Sequence, residues 1–479
     1  MNISERHLTL LCDFYELTMA RGYFNSDMKD KIAYFDVFFR KVPDGGGYAI
    51  AAGLEQIVEY IKSIKFTNED IEYLRGKRIF DEKFLEYLKG FSFTGDIWAV
   101  PEGTVIFPGE PIMTVRANAM EAQFIETFIL LIFNHQCLVA TKASRIVRAA
   151  QGRPVSEFGS RRAHGPDAAI YGARAAYIGG CTSTACTVAD IMFGVPAGGT
   201  MAHSWVQMFD DEYTAFYEYC RLYPKNPTLL VDTYNVIKSG VPNAIKAFKE
   251  ALTEEERKHC AVRLDSGDIT YLTKKVRRML DAAGLTECKI IVSNSLDEYI
   301  IRDILMQGAQ VDGFGVGERM ITSKSEPVFG CVYKLCAVEE NGKIAPRIKI
   351  SENAAKITNP DFKRLYRFYS RETGKAEADL ITIHDEVIDR SQPYELFDPD
   401  HIWKRKLMED YELRELLVPI FEKGKCVYTS PSVNEIRENC KRELASMWDE
   451  VLRFENPHNY YVDLSQRLWD EKHQLLKKR

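Results

Sequence analysis

The chain has 479 residues, 46% of them apolar and 28% charged, which suits a globular protein of two or three domains whose core can stand without disulfides. A formal net charge of −6 argues against a protein held to nucleic acid by a broad basic face, yet leaves room for a local cationic pocket. Glu5, Arg6, Asp13 and Glu16 break up the first twenty residues, so no secretory segment is expected. The longest greasy run, Phe128 to Phe133, is far short of the roughly 20 residues of a spanning helix and reads as core. The eleven cysteines are irregularly spaced with no Cys-x-x-Cys, which predicts reduced, buried thiols, no zinc site and a cytoplasmic location.

In chain order, Ala33 to Arg40 alternates, is rich in aromatics and predicts a strand, while Leu54 to Ile64 and Asp81 to Leu88 predict helices. Asp96 to Val100, Thr104 to Phe107 and Pro111 to Val115 are short strands separated by Pro-Glu-Gly and Pro-Gly-Glu turns. The expectation is an N-terminal α+β domain over 1–128, with its β-rich parts at 33–40 and 96–116. Glu121 to Gln151 then predicts one or two long helices.

The next stretch, 129–345, has a different rhythm. Thr228 to Val231, Cys260 to Leu264 and Lys289 to Val292 are apolar runs, each followed by a helical pattern (Asn243 to Leu252, Tyr271 to Ala283 and Leu296 to Gly308), and Val311 to Val316 closes the series. Strand–helix alternation means parallel strands joined by crossovers. Polar residues follow each strand: Asp232, Asp265-Ser266-Gly267-Asp268, Ser293-Asn294-Ser295 and Gly315 to Glu318. Sites form at the carboxyl ends of such strands, and contributions from several strands favour a barrel over an open sheet. The predicted fold class is therefore α/β: an irregular α/β barrel over 129–345, a flanking α+β N-terminal domain, and a helical C-terminal region over 346–479 packing on that domain. In the last region Val433 to Phe454 predicts an amphipathic helix that Asn456-Pro457-His458 breaks.

Five constellations could carry chemistry, and each has a plain structural alternative. Glu157-Phe158-Gly159-Ser160-Arg161-Arg162 could hold an anionic ring between guanidinium and aromatic, or be a strand end with surface ion pairs. Gly199-Thr200-Met201-Ala202-His203-Ser204-Trp205 sets one histidine among small residues, as a general acid/base, a nucleophile or a satisfied structural group. Arg263 and Asp265 point to one side of a strand and could take a phosphate and a ribose diol or metal, or simply pair with each other. Gly313 to Arg319 is a glycine-rich loop that could cradle phosphate through its amides or be a turn, and it lacks the Gly-Lys-Ser/Thr ending of a Walker A loop. Asp13 to Met19 reads from pattern alone as a helix start with Asp as N-cap.

Together these segments, with Ala140-Thr141-Lys142-Ala143, Lys356-Ile357-Thr358-Asn359-Pro360 and Asn456-Pro457-His458, resemble the nicotinate phosphoribosyltransferase family over nearly the whole chain. The resemblance implies a homodimer that joins nicotinate to phosphoribosyl pyrophosphate, with Mg2+ and with ATP as co-substrate, at a barrel mouth completed by the neighbouring subunit. It implies that Tyr15 and Phe158 stack on the pyridine ring and that Arg161 lies near base and phosphates. His203 matches the histidine that ATP phosphorylates. Arg263 and Asp265 match residues that position ribose and pyrophosphate, Asp265 also being a candidate metal ligand, and Gly315 and Gly317 match the 5′-phosphate loop. Ser183, Thr200 and Ser293 complete the expected substrate contacts. Two departures stand out: Gly179-Gly180-Cys181-Thr182-Ser183-Thr184-Ala185 replaces a more glycine- and serine-rich stretch, and Asp361 stands where a glycine is usual. Nicotinamide-using relatives place an aspartate near the base, whereas Thr182-Ser183-Thr184 offers hydroxyls and no carboxylate, which favours nicotinate. Rival readings are a nicotinamide or quinolinate phosphoribosyltransferase, a catalytically silent barrel scaffold, and a glycoside hydrolase using Asp265 and Asp268, which would leave Arg161, Arg162 and Arg263 unexplained.

Overall fold

The apolar runs between 155 and 316 form a six-stranded sheet in the order Ser183–Thr184, Val155–Glu157, Gly313–Val316, Lys289–Val292, Ala261–Leu264, Thr228–Leu230. Every neighbouring pair is parallel, with Ile291 opposite Arg263 and Val292 opposite Leu264. Val262, Leu264, Ile290 and Val292 are fully buried, which is why these strands show no polar alternation. Strand-end aspartates start the crossover helices: Asp268 caps Ile269–Ala282 through the Tyr271 amide at 2.8 Å, and Asp297 caps Glu298–Met306 through Tyr299 and Ile300.

This computed structural model describes residues 6–353 and 356–477. The chain divides into two compact units, Met1–Leu138 with Val328–Arg479, and Val139–Pro327. Residues 328–345, grouped with the barrel on sequence, belong by their contacts to the first unit. In the second unit the parallel sheet is a half-barrel, not the ring expected. Its edge strands, Ser183–Thr184 and Thr228–Leu230, do not pair among the described residues. The chain between them folds as the helices Thr187–Phe193, His203–Gln207 and Glu212–Leu222, so no strand is available to close it.

The first unit is built on a seven-stranded antiparallel sheet, in the order Lys343–Pro346, Val332–Glu340, Ile32–Phe38, Met113–Asn118, Asp96–Ala99, Val418–Glu422, Lys425–Cys426. The expectation of a helical C-terminal region holds only towards its end, where Val433–Ser446 and Gln466–Lys477 are helices; strands precede them. Lys363–Ser370, Ala376–Ile383, Tyr411–Glu415 and Val462–Leu464 form a four-stranded sheet, and Tyr394–Phe397 pairs with Arg405–Met408. The helix expected over 433–454 runs only over Val433–Ser446, opened by a capping box of Ser432 and Glu435. Asp361 sits at φ +70°, a left-handed conformation that explains why glycine suits this position and that aspartate tolerates better than most residues.

What hid the C-terminal sheet is a charge inside it. Arg367, fully buried on the Lys363–Ser370 strand, meets both Asp379 oxygens at 2.7 and 2.6 Å, Glu443 at 3.0 Å and the Val105 carbonyl at 2.8 Å. Read alone, such a residue marks solvent; here a carboxylate pair offsets its desolvation. Glu110, also fully buried, has its carboxyl raised well above the ordinary range by burial and by Asp379 beside it.

The stretch Ala119–Ala149 is long and apolar enough to cross a membrane, but 72% of its most apolar window is buried inside the protein. None of the eleven cysteines forms a disulfide among the described residues. Replacing Arg367 with leucine would leave Asp379 buried without its guanidinium partner and Glu443 with Arg414 alone. The expected loss is about 3–5 kcal/mol, read as a lower urea midpoint at unchanged slope.

Candidate active site

Because the strands run parallel, their carboxyl ends meet at one edge, and the segments that follow them line a cavity of about 440 Å³. Phe158, Arg161 and Arg162 come from the end of Val155–Glu157, Arg263 and Asp265 from Ala261–Leu264, Ser293 to Ser295 from Lys289–Val292, and Gly315, Gly317 and Glu318 from Gly313–Val316. Gly199, Thr200, Met201, Ala202 and His203 close it from the segment that leads into the His203–Gln207 helix.

Local hydrogen bonds hold this edge in shape. Glu157 is buried; its carboxylate takes the Thr184 hydroxyl at 2.6 Å and the Gly159 amide, and burial pushes its pKa up against both. Asp265 accepts the Ser293 hydroxyl, and its amide donates to Asp232 at 2.9 Å. His203 Nδ1 lies 3.2 Å from the Thr233 hydroxyl. Asn294 and Ser295 both have positive φ, 85° and 32°, backbone strain concentrated at the cavity wall. A Cβ on Gly315 would strike the Phe158 ring, so glycine is needed for the ring to lie against this strand.

The electrostatics ask for an anion. Arg263 donates to the Met201 carbonyl at 2.7 Å, while its Nε is buried with no partner among the described residues. Burial lowers its pKa, Asp265 and Asp232 oppose that, and Arg161 reinforces it. Arg161 and Arg162 are exposed at the same cavity. Three guanidinium groups thus converge on one small space, one of them partly desolvated and under-bonded.

Nine of the residues expected from sequence line this cavity: Phe158, Arg161, Thr200, His203, Arg263, Asp265, Ser293, Gly315 and Gly317. Ser183 does not. Its hydroxyl is engaged by Ser156 at 2.8 Å, and Thr182 and Thr184 likewise bond the neighbouring strand, so the three hydroxyls proposed as donors to the base hold the sheet edge instead. Tyr15 belongs to the other unit, on the helix Phe14–Phe24, where it is 43% exposed and bonded to Glu126. Asp13 occupies the N-cap position of that helix without a side-chain cap bond. Lys142 is buried between Glu298 at 2.9 Å and Ser325 at 2.8 Å, a structural ion cluster shared with Arg145. Lys363 is buried against Asp36 at 2.8 Å. Sequence reasoning missed Thr233 and gave Glu157 no role; the first directly follows a strand-end aspartate and the second stands inside a quoted motif.

Proteins that collect cations, glycines and a histidine at this edge of a parallel sheet form a class of α/β enzymes acting on small anionic substrates. Three family models cover the chain in order: the nicotinate phosphoribosyltransferase N-terminal domain at 10–134, the nicotinate phosphoribosyltransferase family at 154–368, and its C-terminal domain at 362–472. The chain is 43% identical to the nicotinate phosphoribosyltransferase of Bacillus subtilis, over 98% of this chain and 95% of that one. It is 38% identical to one from Mycobacterium tuberculosis, over 98% and 94%. The crystal structure of human nicotinic acid phosphoribosyltransferase superposes with a TM-score of 0.83 at 27% identity, covering 98% of this chain and 100% of that one. The chain belongs to the nicotinate phosphoribosyltransferase family.

Gly315→Ala would force the Phe158 ring from its place. The expected cost is about 1–3 kcal/mol of stability from overpacking, read by denaturant titration, with a changed near-ultraviolet dichroism signal.

Proposed function

We propose that this enzyme transfers the phosphoribosyl group of phosphoribosyl pyrophosphate to nicotinate, forming nicotinate mononucleotide and pyrophosphate, and that ATP drives the step by phosphorylating His203. The observation that carries the reading is the convergence of Arg161, Arg162, Arg263, His203 and the Gly315–Gly317 loop on one cavity. The pyridine nitrogen attacks C1 of the ribose; the N–C1 bond forms as the C1–O bond to pyrophosphate breaks. The nitrogen carries no proton to remove, so the chain's task is alignment and charge stabilisation. Phe158 offers a face to the pyridine ring, Arg161 or Arg162 its carboxylate a cation, Arg263 an oxyanion its unpartnered Nε, and the amides around Gly315 and Gly317 a phosphate their donors.

Among the described residues no group of three or more His, Cys, Asp or Glu could hold a metal alone. That fits Mg2+ arriving on the pyrophosphate, which needs only one or two carboxylates, with Asp265, which lines the cavity together with the carboxylate of Glu318, as the candidate. When bound it would neutralise charge on the departing group.

The preference for nicotinate over nicotinamide no longer draws on the 182–184 hydroxyls. It is supported by the arginines at the cavity and by the relatives' names. We extend the proposal to a homodimer in which Tyr15 completes the neighbour's site, supported by the exposure of its ring, and to a cytoplasmic location, supported by eleven cysteines in reduced form.

The test is product formation from radiolabelled nicotinate with and without ATP. Labelled mononucleotide that increases with ATP is expected, and its absence refutes the assignment. His203→Ala is expected to keep slow transfer and to lose the ATP stimulation; full stimulation would rule out the histidine's role. Arg263→Met is expected to raise KM for phosphoribosyl pyrophosphate by about 10- to 100-fold, since a hydrogen bond to a charged group contributes about 1.5–3 kcal/mol. Nicotinamide offered as the base should turn over far more slowly than nicotinate.

A further inference from the structure

We infer that Asp232 and Thr233, the pair just beyond the Thr228–Leu230 strand, transmit the phosphorylation state of His203 to the turn that carries Asp265, directly after the strand of Arg263. The inference rests on the proposal that ATP phosphorylates His203 and adds the route by which that event reaches the sugar pyrophosphate.

The route is a circuit of hydrogen bonds. The Thr233 hydroxyl lies 3.2 Å from His203 Nδ1. One peptide away, Asp232 Oδ2 accepts the Asp265 amide at 2.9 Å and the Ser266 hydroxyl at 2.6 Å. Its other oxygen, Oδ1, is buried with no partner among the described residues, so both hydrogen bonds that the carboxylate accepts there come from this turn. Asp265 in turn accepts the Ser293 hydroxyl. Arg263 closes the loop by donating at 2.7 Å to the carbonyl of Met201, two residues before His203. Neither Asp232 nor Thr233 lines the cavity, so both are positioning residues that act through others.

Phosphorylation breaks the bond from the γ-phosphorus of ATP to the bridging oxygen, which leaves with ADP, and forms a P–N bond to the imidazole; water later cleaves it to orthophosphate. The added dianionic group changes what the imidazole offers Thr233, either removing a nitrogen acceptor or placing phosphoryl oxygens within reach of the hydroxyl. Thr233 and Asp232 share a peptide, so a shift in one moves the carboxylate that holds the Asp265 amide. A ligand can only shift a state it binds differently, and this turn carries the residues that would feel the difference.

The experiment compares wild type, Thr233→Val and Thr233→Ser for acid-labile phosphate after incubation with ATP, and for KM of phosphoribosyl pyrophosphate with and without ATP. In wild type ATP should lower that KM, within the roughly 5- to 150-fold range of allosteric couplings. Thr233→Val is nearly isosteric; it should still form the phosphoenzyme, yet its KM ratio should fall to about one, and Thr233→Ser should restore it, with equal melting temperatures throughout. Wild-type coupling in Thr233→Val overturns the inference while leaving the histidine's role intact. So does loss of the phosphoenzyme itself in that variant, because Thr233 would then act on phosphorylation and not on its transmission. Absence of acid-labile phosphate in wild type removes the histidine proposal and this one together.

Discussion

Parallel strands carry their carboxyl ends on one edge, and everything that makes this cavity electropositive hangs from that edge. The helices that return the chain between strands leave each strand end free to turn outward, so Phe158, Arg263, Ser293 and Gly315, far apart in sequence, become neighbours. The same geometry desolvates Arg263 without satisfying it. A guanidinium with a buried, unpartnered Nε is costly to keep, and an anion bound there would offset that cost.

Close packing sharpens that edge. Phe158 can lie against the neighbouring strand only because residue 315 has no side chain, and its amide is tied to the Val316 carbonyl at 2.8 Å. Glu157 holds Gly159 and Thr184 from beneath, giving the arginine-bearing turn a rigid base. Asp232 does the same for the Asp265 turn. Pre-set donors need no reorganisation when charge develops, which suits a reaction whose demand is positioning and not proton transfer.

The strand–helix rhythm of 228–316 was legible because buried parallel strands advertise themselves as apolar runs, and the turns after them as polar clusters. The C-terminal strands were harder to read. Arg367 sits inside one, its charge matched by Asp379 and Glu443, which come from other elements, and a charge read one residue at a time looks solvated. Sheet closure was also unreadable, since it depends on whether the residues between 184 and 228 supply another strand, and three helices fill that place. Ser183 shows the limit for single residues: a hydroxyl next to a site can face the ligand or the next strand, and only the Ser156 partner tells which.

By itself the sequence determined the family, the parallel strands and the residue types at the cavity, because those follow from local pattern and from motifs kept in order along the chain. Only the tertiary structure decided that the sheet stays a half-barrel, that strands precede the helices of the C-terminal third, that the 182–184 hydroxyls bond the neighbouring strand, and that Thr233 meets His203. Those outcomes turn on which partner a polar or charged group finds across the fold, and hydrogen-bond partners distant in sequence leave no periodic trace within it.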